Sequence, residues 1–208
     1  MPETIAIADM PTVVIYLLRW LHIFSSIVWI GHLYFFNLVN VPLQGVLDKD
    51  VKKVVNPQLL PRALWWFRWG AMGTFIFGWV MLFYKYSVQG LWKDPSGNMS
   101  DRAMWILLGG LLGTIMWFNV WFIIWPAQKK IIGWVRDGQS PPEMPKLAKK
   151  ALHASRTNFY LSAPMLFSMI APNHFSTMNI QRVIGVFVFG FLVMWLAIKV
   201  SANVGKTV

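Results

Sequence analysis

Four histidines are the side chains of this sequence best suited to hold a metal or a cofactor. His22 and His32 fall within one long apolar run, and His153 and His174 lie near opposite ends of another. Ionisable groups inside a bilayer are costly, so they are functional candidates by default. His22 and His32 lie about 15 Å apart along a helix. They therefore cannot ligate one metal ion, and each needs a partner on another helix.

The histidines pair by depth if the apolar runs cross a bilayer in alternating directions. His22 and His174 then share one half of the membrane, and His32 and His153 share the other half. Two imidazoles from different helices can clamp the iron of haem b, so this pattern favours haem b, with His22 as the metal ligand. The alternative is structural: His22 and His32 hydrogen-bond to neighbouring helices, while His153 and His174 are solvated near the membrane surface.

Polar side chains at membrane depth form a second set of candidates. Asn119 lies between aromatic residues, and it either makes an interhelical hydrogen bond or contacts a substrate or quinone. Arg68 and Arg156 either extend to the membrane surface or bind a haem propionate. We expect Arg68 to join the histidines in binding the cofactor, and Asn119, Arg156 and Asn158 to bind the substrate. No catalytic residue can be named.

Composition excludes most soluble and nucleotide-dependent functions. Charged residues make up 13% of the chain and the mean hydropathy is +0.50, whereas a soluble domain has roughly 25% charged residues. The absence of cysteine excludes disulfides, iron–sulfur clusters and covalently attached c-type haem. No phosphate-binding loop or dinucleotide motif is present. The net charge is +11, and the basic residues responsible for it lie between the apolar runs. Anionic lipid is therefore a better partner than nucleic acid.

The apolar runs predict an all-α integral membrane protein, a bundle of about five transmembrane helices in a single membrane domain, residues 1–208. Each run approaches or exceeds the roughly 20 residues that cross a bilayer. Most Lys and Arg residues fall on one side, which places the N-terminus outside and the C-terminus in the cytoplasm. The predicted spans are about 13–41, 62–88, 103–126, 151–172 and 181–202.

The connections between these runs carry local signals. Residues 46–55 place Leu47 and three valines on one helical face, which predicts a helix lying on the lipid surface. Three prolines, Pro141, Pro142 and Pro145, are expected to break the chain before the fourth span. Either Ser100 or Asp101 can cap the third helix.

Several sequence blocks resemble the bacterial urate hydroxylase membrane-domain family (urate oxidase N-terminal domain-like). The blocks are Arg19–His22, Trp29–Gly31, Tyr34–Asn37, Leu60–Gly70, Gly113–Asn119, Trp125–Lys130 and Ala154–Asn158. The resemblance implies a membrane oxidoreductase linked to urate oxidation and electron transfer, with His22 at the family's first-helix histidine. Full-length family members carry further helices and a cytochrome c domain, so this chain is similar to a short form that lacks that domain.

Two functions remain open on the sequence alone. The first is a membrane oxidoreductase or electron-transfer subunit of urate hydroxylase type that binds haem b and passes electrons to a partner cytochrome. The second is a non-catalytic accessory subunit of a larger membrane complex, since its aromatic-rich helices suit lateral packing. Either way, we expect a multi-pass protein of the bacterial inner membrane whose partners are the lipid bilayer and another membrane protein.

Overall fold

The computed structural model describes residues 10–175 and 177–204, which are almost entirely helical and contain no β-strand. The α-helices are α1 (Met10–Tyr34), α2 (Val41–Val46), α3 (Lys49–Leu82), α4 (Asp101–Phe118), α5 (Trp125–Arg136), α6 (Met144–Ile170) and α7 (Ile180–Ser201). They are joined by three π-helical segments, Phe35–Asn40, Phe83–Val88 and Asn119–Ile124, and by one 3₁₀ turn, Ala171–Asn173. The predicted all-α class is confirmed.

Within the described part of the chain, three helices are long and apolar enough to cross a membrane. They are the continuous helices Met10–Val46 and Asp101–Arg136, and α7. The other two long helices, α3 and α6, contain five Lys and Arg residues among 34 and four among 27, respectively. Three helices of this kind fit a multi-pass membrane protein, and many of their large apolar side chains face outward, including Trp20, Phe24, Val188 and Phe189.

The predicted loops before the second and fourth spans are largely helical. Residues 49–55 form the first turns of α3 and continue without a break to Leu82, so they are not a separate surface helix. Pro145 lies in the first turn of α6 and begins the helix instead of breaking the chain. A proline is tolerated there because the first N–H groups of a helix have no intrahelical acceptor.

The bundle is built around α6, which packs against α1, α4, α5 and α7. The most extensive contact is between α1 and α3, and α5 packs against both α3 and α6. The shared core includes Trp29, Phe67, Met116 and Phe159, each almost fully buried. Because α6 contacts so many helices, three of its polar residues, Asn158, Ser162 and Ser168, are buried between neighbours.

Ser100 begins α4 as its N-cap, and its hydroxyl accepts a hydrogen bond from the Ala103 backbone N–H at 3.2 Å. Asp101, the other capping candidate, instead accepts a bond from the Met178 backbone N–H at 2.7 Å. This second bond ties the start of α4 to the segment that precedes α7.

Candidate functional site

One face of α6 carries a row of buried polar residues that bond to its neighbours. Ser155, Asn158 and Ser162 are three and four residues apart, which places them on one side of the helix. The Asn158 amide donates to the Met116 carbonyl oxygen at 2.9 Å, and its Oδ1 accepts from the Asn119 amide at 2.8 Å. Asn158 is 0% exposed, so both bonds lie inside the bundle.

The same row also bonds to α1 and the π-helical segment after it. The Asn37 amide donates to Ser155 Oγ and to the Leu33 carbonyl oxygen, both at 2.9 Å. Tyr34 Oη and Ser162 Oγ are 3.1 Å apart. Polar contacts therefore run from α1 across α6 to α4. We define the polar cluster as Asn37, Asn119, Ser155, Asn158 and Ser162.

The polar cluster contains a hydrogen-bonding atom without a partner and lies beside an unpaired charge. Asn37 is 1% exposed, and its Oδ1 has no hydrogen-bond partner. Arg156 Nη1 is 3.5 Å from the Asn37 carbonyl oxygen that accepts its hydrogen bond. Among the described residues no carboxylate forms an ion pair with Arg156. An unpartnered acceptor on the residue whose backbone carbonyl contacts a guanidinium suits a ligand that is anionic and also carries an N–H or O–H donor.

Two of the π-helical segments contribute to this cluster, and each ends shortly before a proline. Phe35–Asn40 precedes Pro42, and Asn119–Ile124 precedes Pro126. A proline lacks an N–H for the carbonyl four residues earlier and its ring crowds that carbonyl. At Pro42 this carbonyl belongs to Leu38, and it accepts a hydrogen bond from the Ser201 hydroxyl of α7. π-Helical turns are frequent at functional sites.

His22 is held against α3 by the backbone of that helix. Its Nδ1 lies 2.9 Å from the Thr74 carbonyl oxygen. A carbonyl oxygen only accepts hydrogen bonds, so Nδ1 carries the proton and Nε2 of the neutral ring keeps its lone pair. A Cβ atom on Gly78 would lie 2.8 Å from His22 Cε1. The absence of a side chain at residue 78 therefore allows this close approach.

The other three histidines differ in their environments. His32 Nδ1 is 2.7 Å from the Val28 carbonyl oxygen of its own helix, so its Nε2 also keeps a lone pair. His153 and His174 are exposed near opposite ends of α6. The 3₁₀ turn before His174 packs against α4, whereas α1, which carries His22, packs mainly against α3. The predicted depth pairing of histidines stays a prediction.

If the chain binds haem b, His22 would hold the iron through Nε2. Histidines that bind a metal usually donate the other ring N–H to a carbonyl or carboxylate, as His22 does to Thr74. The described residues contain no group of three or more His, Cys, Asp or Glu side chains placed to hold a metal ion. Neither of the two best-defined cavities is lined by a histidine.

Arg68 lies in a cluster of tryptophans. Its guanidinium carbon is 3.8 Å from the ring centre of Trp125, 5.8 Å from that of Trp121 and 6.0 Å from that of Trp69. Its Nε is buried without a hydrogen-bond partner. Indole faces attract cations, so the charge of Arg68 is stabilised by aromatic rings instead of by a carboxylate.

A family model described as urate oxidase N-terminal matches residues 95–206, more than half of the chain. The chain belongs to the urate oxidase N-terminal family. The matched stretch covers α4 to α7 and includes Asn119, Arg156 and Asn158, while His22, Asn37 and Arg68 lie before it. The chain matches no curated protein and no solved structure.

The structure brings together part of the predicted site in this member of the urate oxidase N-terminal family. Asn119 and Asn158 bond directly, and Arg156 lies on the same helix beside Asn37. His22 and Arg68 make their contacts elsewhere. His22 bonds to the Thr74 carbonyl, and Arg68 lies against three tryptophan rings. The sequence analysis missed Tyr34, Ser155 and Ser162. A search for Ser and Asn residues recurring every three or four positions along one apolar helix would have found the two serines.

Proposed function

We propose that the chain is a membrane-embedded oxidoreductase subunit of urate hydroxylase type, and that the polar cluster with Arg156 binds the urate anion. Urate is planar, carries a negative charge at neutral pH, and has N–H donors beside carbonyl acceptors. Asn37 carries this proposal, because its side-chain Oδ1 is an unpartnered acceptor for an N–H and its backbone carbonyl contacts Arg156, a donor for the anion. The family match supports it.

The arrangement suggests what each side chain does. Arg156 neutralises the charge of the bound anion, and the Asn37 amide oxygen orients it through an N–H group. The Asn119–Asn158 pair holds α4 and α6 in register around the site. Hydroxylation of urate by water releases an electron pair and two protons, so the reaction needs an electron acceptor. We propose that the acceptor is reached through a partner such as a cytochrome or a larger membrane complex.

We further propose that α3 and α6 cross the bacterial inner membrane together with the three more apolar helices, giving five spans. α3 has 34 residues, about 51 Å at 1.5 Å per residue, which exceeds the roughly 30 Å of a hydrocarbon core. Its basic first turns therefore lie outside the hydrocarbon, on the cytoplasmic side. This topology leaves the polar cluster at membrane depth.

Urate turnover and urate binding test the proposal. Membranes containing the full chain are supplied with urate and an artificial electron acceptor, and urate loss is followed with acceptor reduction. Arg156→Gln should lower kcat/KM and weaken urate binding by about tenfold or more, because it removes a charge-assisted hydrogen bond. Arg62→Gln is the matched control, since Arg62 is exposed and bonds only to the Gln58 carbonyl of its own helix.

The absence of both urate binding and acceptor reduction would overturn the proposal. A folded wild-type protein that neither binds urate nor reduces the acceptor is not a urate hydroxylase subunit. Co-purification with a larger assembly in mild detergent would then favour the accessory role.

Haem b is proposed separately, with His22 as the ligand through Nε2. The group would supply a one-electron carrier. A reduced-minus-oxidised spectrum of the purified, haem-supplemented protein should show a b-type signal that His22→Ala abolishes. Ser26→Ala is the control, because Ser26 lies one turn further on the same face and its hydroxyl donates to the His22 carbonyl. A folded wild-type protein without the signal excludes haem b.

A further inference from the structure

A cavity of about 390 Å³ lies between α4, α6 and α7. Its lining is mainly apolar and aromatic, and includes Trp105, Phe167, Phe175, Phe189 and Arg182. The volume falls within the range of about 300–1,000 Å³ that is usual for small-molecule sites. This cavity is separate from the polar cluster, none of whose members lines it.

Two glycines of α7 explain why the cavity exists. A Cβ atom on Gly190 would lie 3.2 Å from Ala163 Cβ and from Pro164 Cδ, so α7 approaches α6 closely at that level. A Cβ atom on Gly185 would meet nothing within 4 Å. The two helices are therefore in contact at Gly190, and the space beside Gly185 is left open.

The cavity wall contains an unsatisfied hydrogen-bond donor. Trp105 is 0% exposed, and its indole N–H is buried without a partner. A buried donor without an acceptor costs free energy, and a tryptophan N–H usually finds a partner. Arg182, the cation of the lining, already donates to the Thr177 carbonyl at 2.6 Å and to the Thr177 hydroxyl. Both bonds use Nη1, and no other side-chain hydrogen bond of Arg182 is formed among the described residues, so the Trp105 indole N–H and the guanidinium both remain donors for an acceptor such as a carbonyl oxygen.

We infer that this cavity binds the ring of a membrane quinone, with the Trp105 indole N–H donating to a quinone carbonyl oxygen. The aromatic lining offers ring faces and edges for stacking, and a quinone carries an apolar tail that the bilayer can hold.

This inference rests on the proposed function, which needs an electron acceptor, and it places the first acceptor on this chain, ahead of the partner that the electrons reach next. Urate and water give the hydroxylated product, two protons and an electron pair, and the quinone takes up the two protons and the electron pair to become the quinol. The two sites are close along α6: Ala163 lines the cavity and follows Asn158 by five residues, about 7.5 Å of helix. Electrons therefore have a short path from the polar cluster to the cavity.

Photolabelling with a short-tail ubiquinone analogue tests this site on the purified full chain in nanodiscs. We expect saturable labelling of α4, α6 or α7 that unlabelled quinone displaces. Gly185→Leu should abolish the labelling by filling the cavity. Gly31→Leu is the matched control, because residue 31 is exposed and also has no neighbour within 4 Å of an added Cβ. Trp105→Phe should weaken binding by about tenfold through loss of one hydrogen bond.

Each result bears on the inference. Non-saturable labelling, unchanged labelling in folded Gly185→Leu, or a co-purified phospholipid that quinone does not displace would overturn it. If Gly185→Leu does not fold, Trp105→Phe still tests the inference. An unchanged affinity of Trp105→Phe for the quinone analogue would also count against it. Urate oxidation with the artificial acceptor is measured alongside. Quinone binding without urate oxidation would support the quinone site and overturn the proposed function. Urate oxidation without quinone binding would support the proposed function and overturn the quinone site.

Discussion

At the scale of single residues, the position of His22 depends on a residue that has no side chain. Gly78 and Thr74 lie one turn apart on α3 and face α1, where Thr74 supplies a carbonyl and Gly78 supplies space. The hydroxyl of Thr74 bonds to the Gly70 carbonyl at 2.8 Å. This row of small residues lets the two helix backbones approach each other and fixes the tautomer of the histidine between them.

The first prediction concerns Gly78→Ala. Its Cβ would lie 2.8 Å from His22 Cε1 and 3.0 Å from Nδ1, so the ring must move and lose its bond to Thr74. We expect a loss of about 1–3 kcal/mol in the free energy of unfolding, measured by thermal unfolding in detergent. In the His22→Ala background the same change should be neutral or stabilising, because alanine favours a helix over glycine. Gly31→Ala, in open space, is the control; equal effects in both backgrounds would refute the contact.

The second prediction concerns Asn158→Leu. This substitution keeps the number and branching of the side-chain heavy atoms but leaves the Met116 carbonyl and the Asn119 amide without their partner. We expect a loss of about 1–3 kcal/mol in stability. Ser168→Ala is the control, since Ser168 is equally buried on α6 but its hydroxyl bonds only to the Pro164 carbonyl of its own helix. If both variants unfold at the same temperature, the interhelical bonds contribute nothing measurable.

The residue types at the site were predictable, but not their pairing. A histidine or asparagine within an apolar run is costly enough to be noticed from sequence, and Asn119, Asn158 and Arg156 were noticed in this way. That Asn119 bonds to Asn158 depends on the rotation of α4 about its axis. The sequence does not specify that rotation. Several polar residues on α6 could accept a hydrogen bond from the Asn119 amide, and the sequence alone does not say which one does.

At the scale of helices, the π-helical segments were the least predictable feature. Composition gives no signal for them, although Pro42 and Pro126 mark two of the places where the regular hydrogen-bond pattern must change. The start of α3 was also mispredicted. Residues 49–55 have the amphipathic pattern of a surface helix, and the structure extends that helix straight into the bundle despite Pro57 and Pro61. An amphipathic pattern specifies a helix, but not whether that helix ends.

The third prediction concerns the contact between α6 and α7. Gly190→Leu places a large side chain where a Cβ alone would already lie 3.2 Å from Ala163 and Pro164. We expect a lower unfolding temperature and a loss of about 1–3 kcal/mol, measured by circular dichroism. Gly185→Ala lies on the same helix in open space and should be neutral or stabilising. Equal unfolding temperatures for the two variants would show that α7 does not pack at Gly190.

At the scale of the whole molecule, hydrophobicity alone specified a helical membrane protein. A chain with 56% hydrophobic residues and long uninterrupted apolar runs must hydrogen-bond its backbone within itself in lipid, which selects helices. The number of crossings is less certain from such a pattern, because Arg68 and Arg156 lower the apolarity of α3 and α6. Whether these two helices cross is a question of which side their ends lie on, and that question can be tested directly.

The fourth prediction uses the absence of cysteine, which makes single-cysteine labelling unambiguous. Cysteines replace four exposed residues: Asp50, Ser96, Ser140 and His174. With five crossings and the basic ends of the helices in the cytoplasm, Ser96→Cys and His174→Cys should react with an impermeant maleimide applied to cells with a permeable outer membrane. Asp50→Cys and Ser140→Cys should react only after the inner membrane is opened. Labelling of residues 50 and 96 from the same side would mean that α3 does not cross, and labelling of residues 140 and 174 from the same side would mean the same for α6.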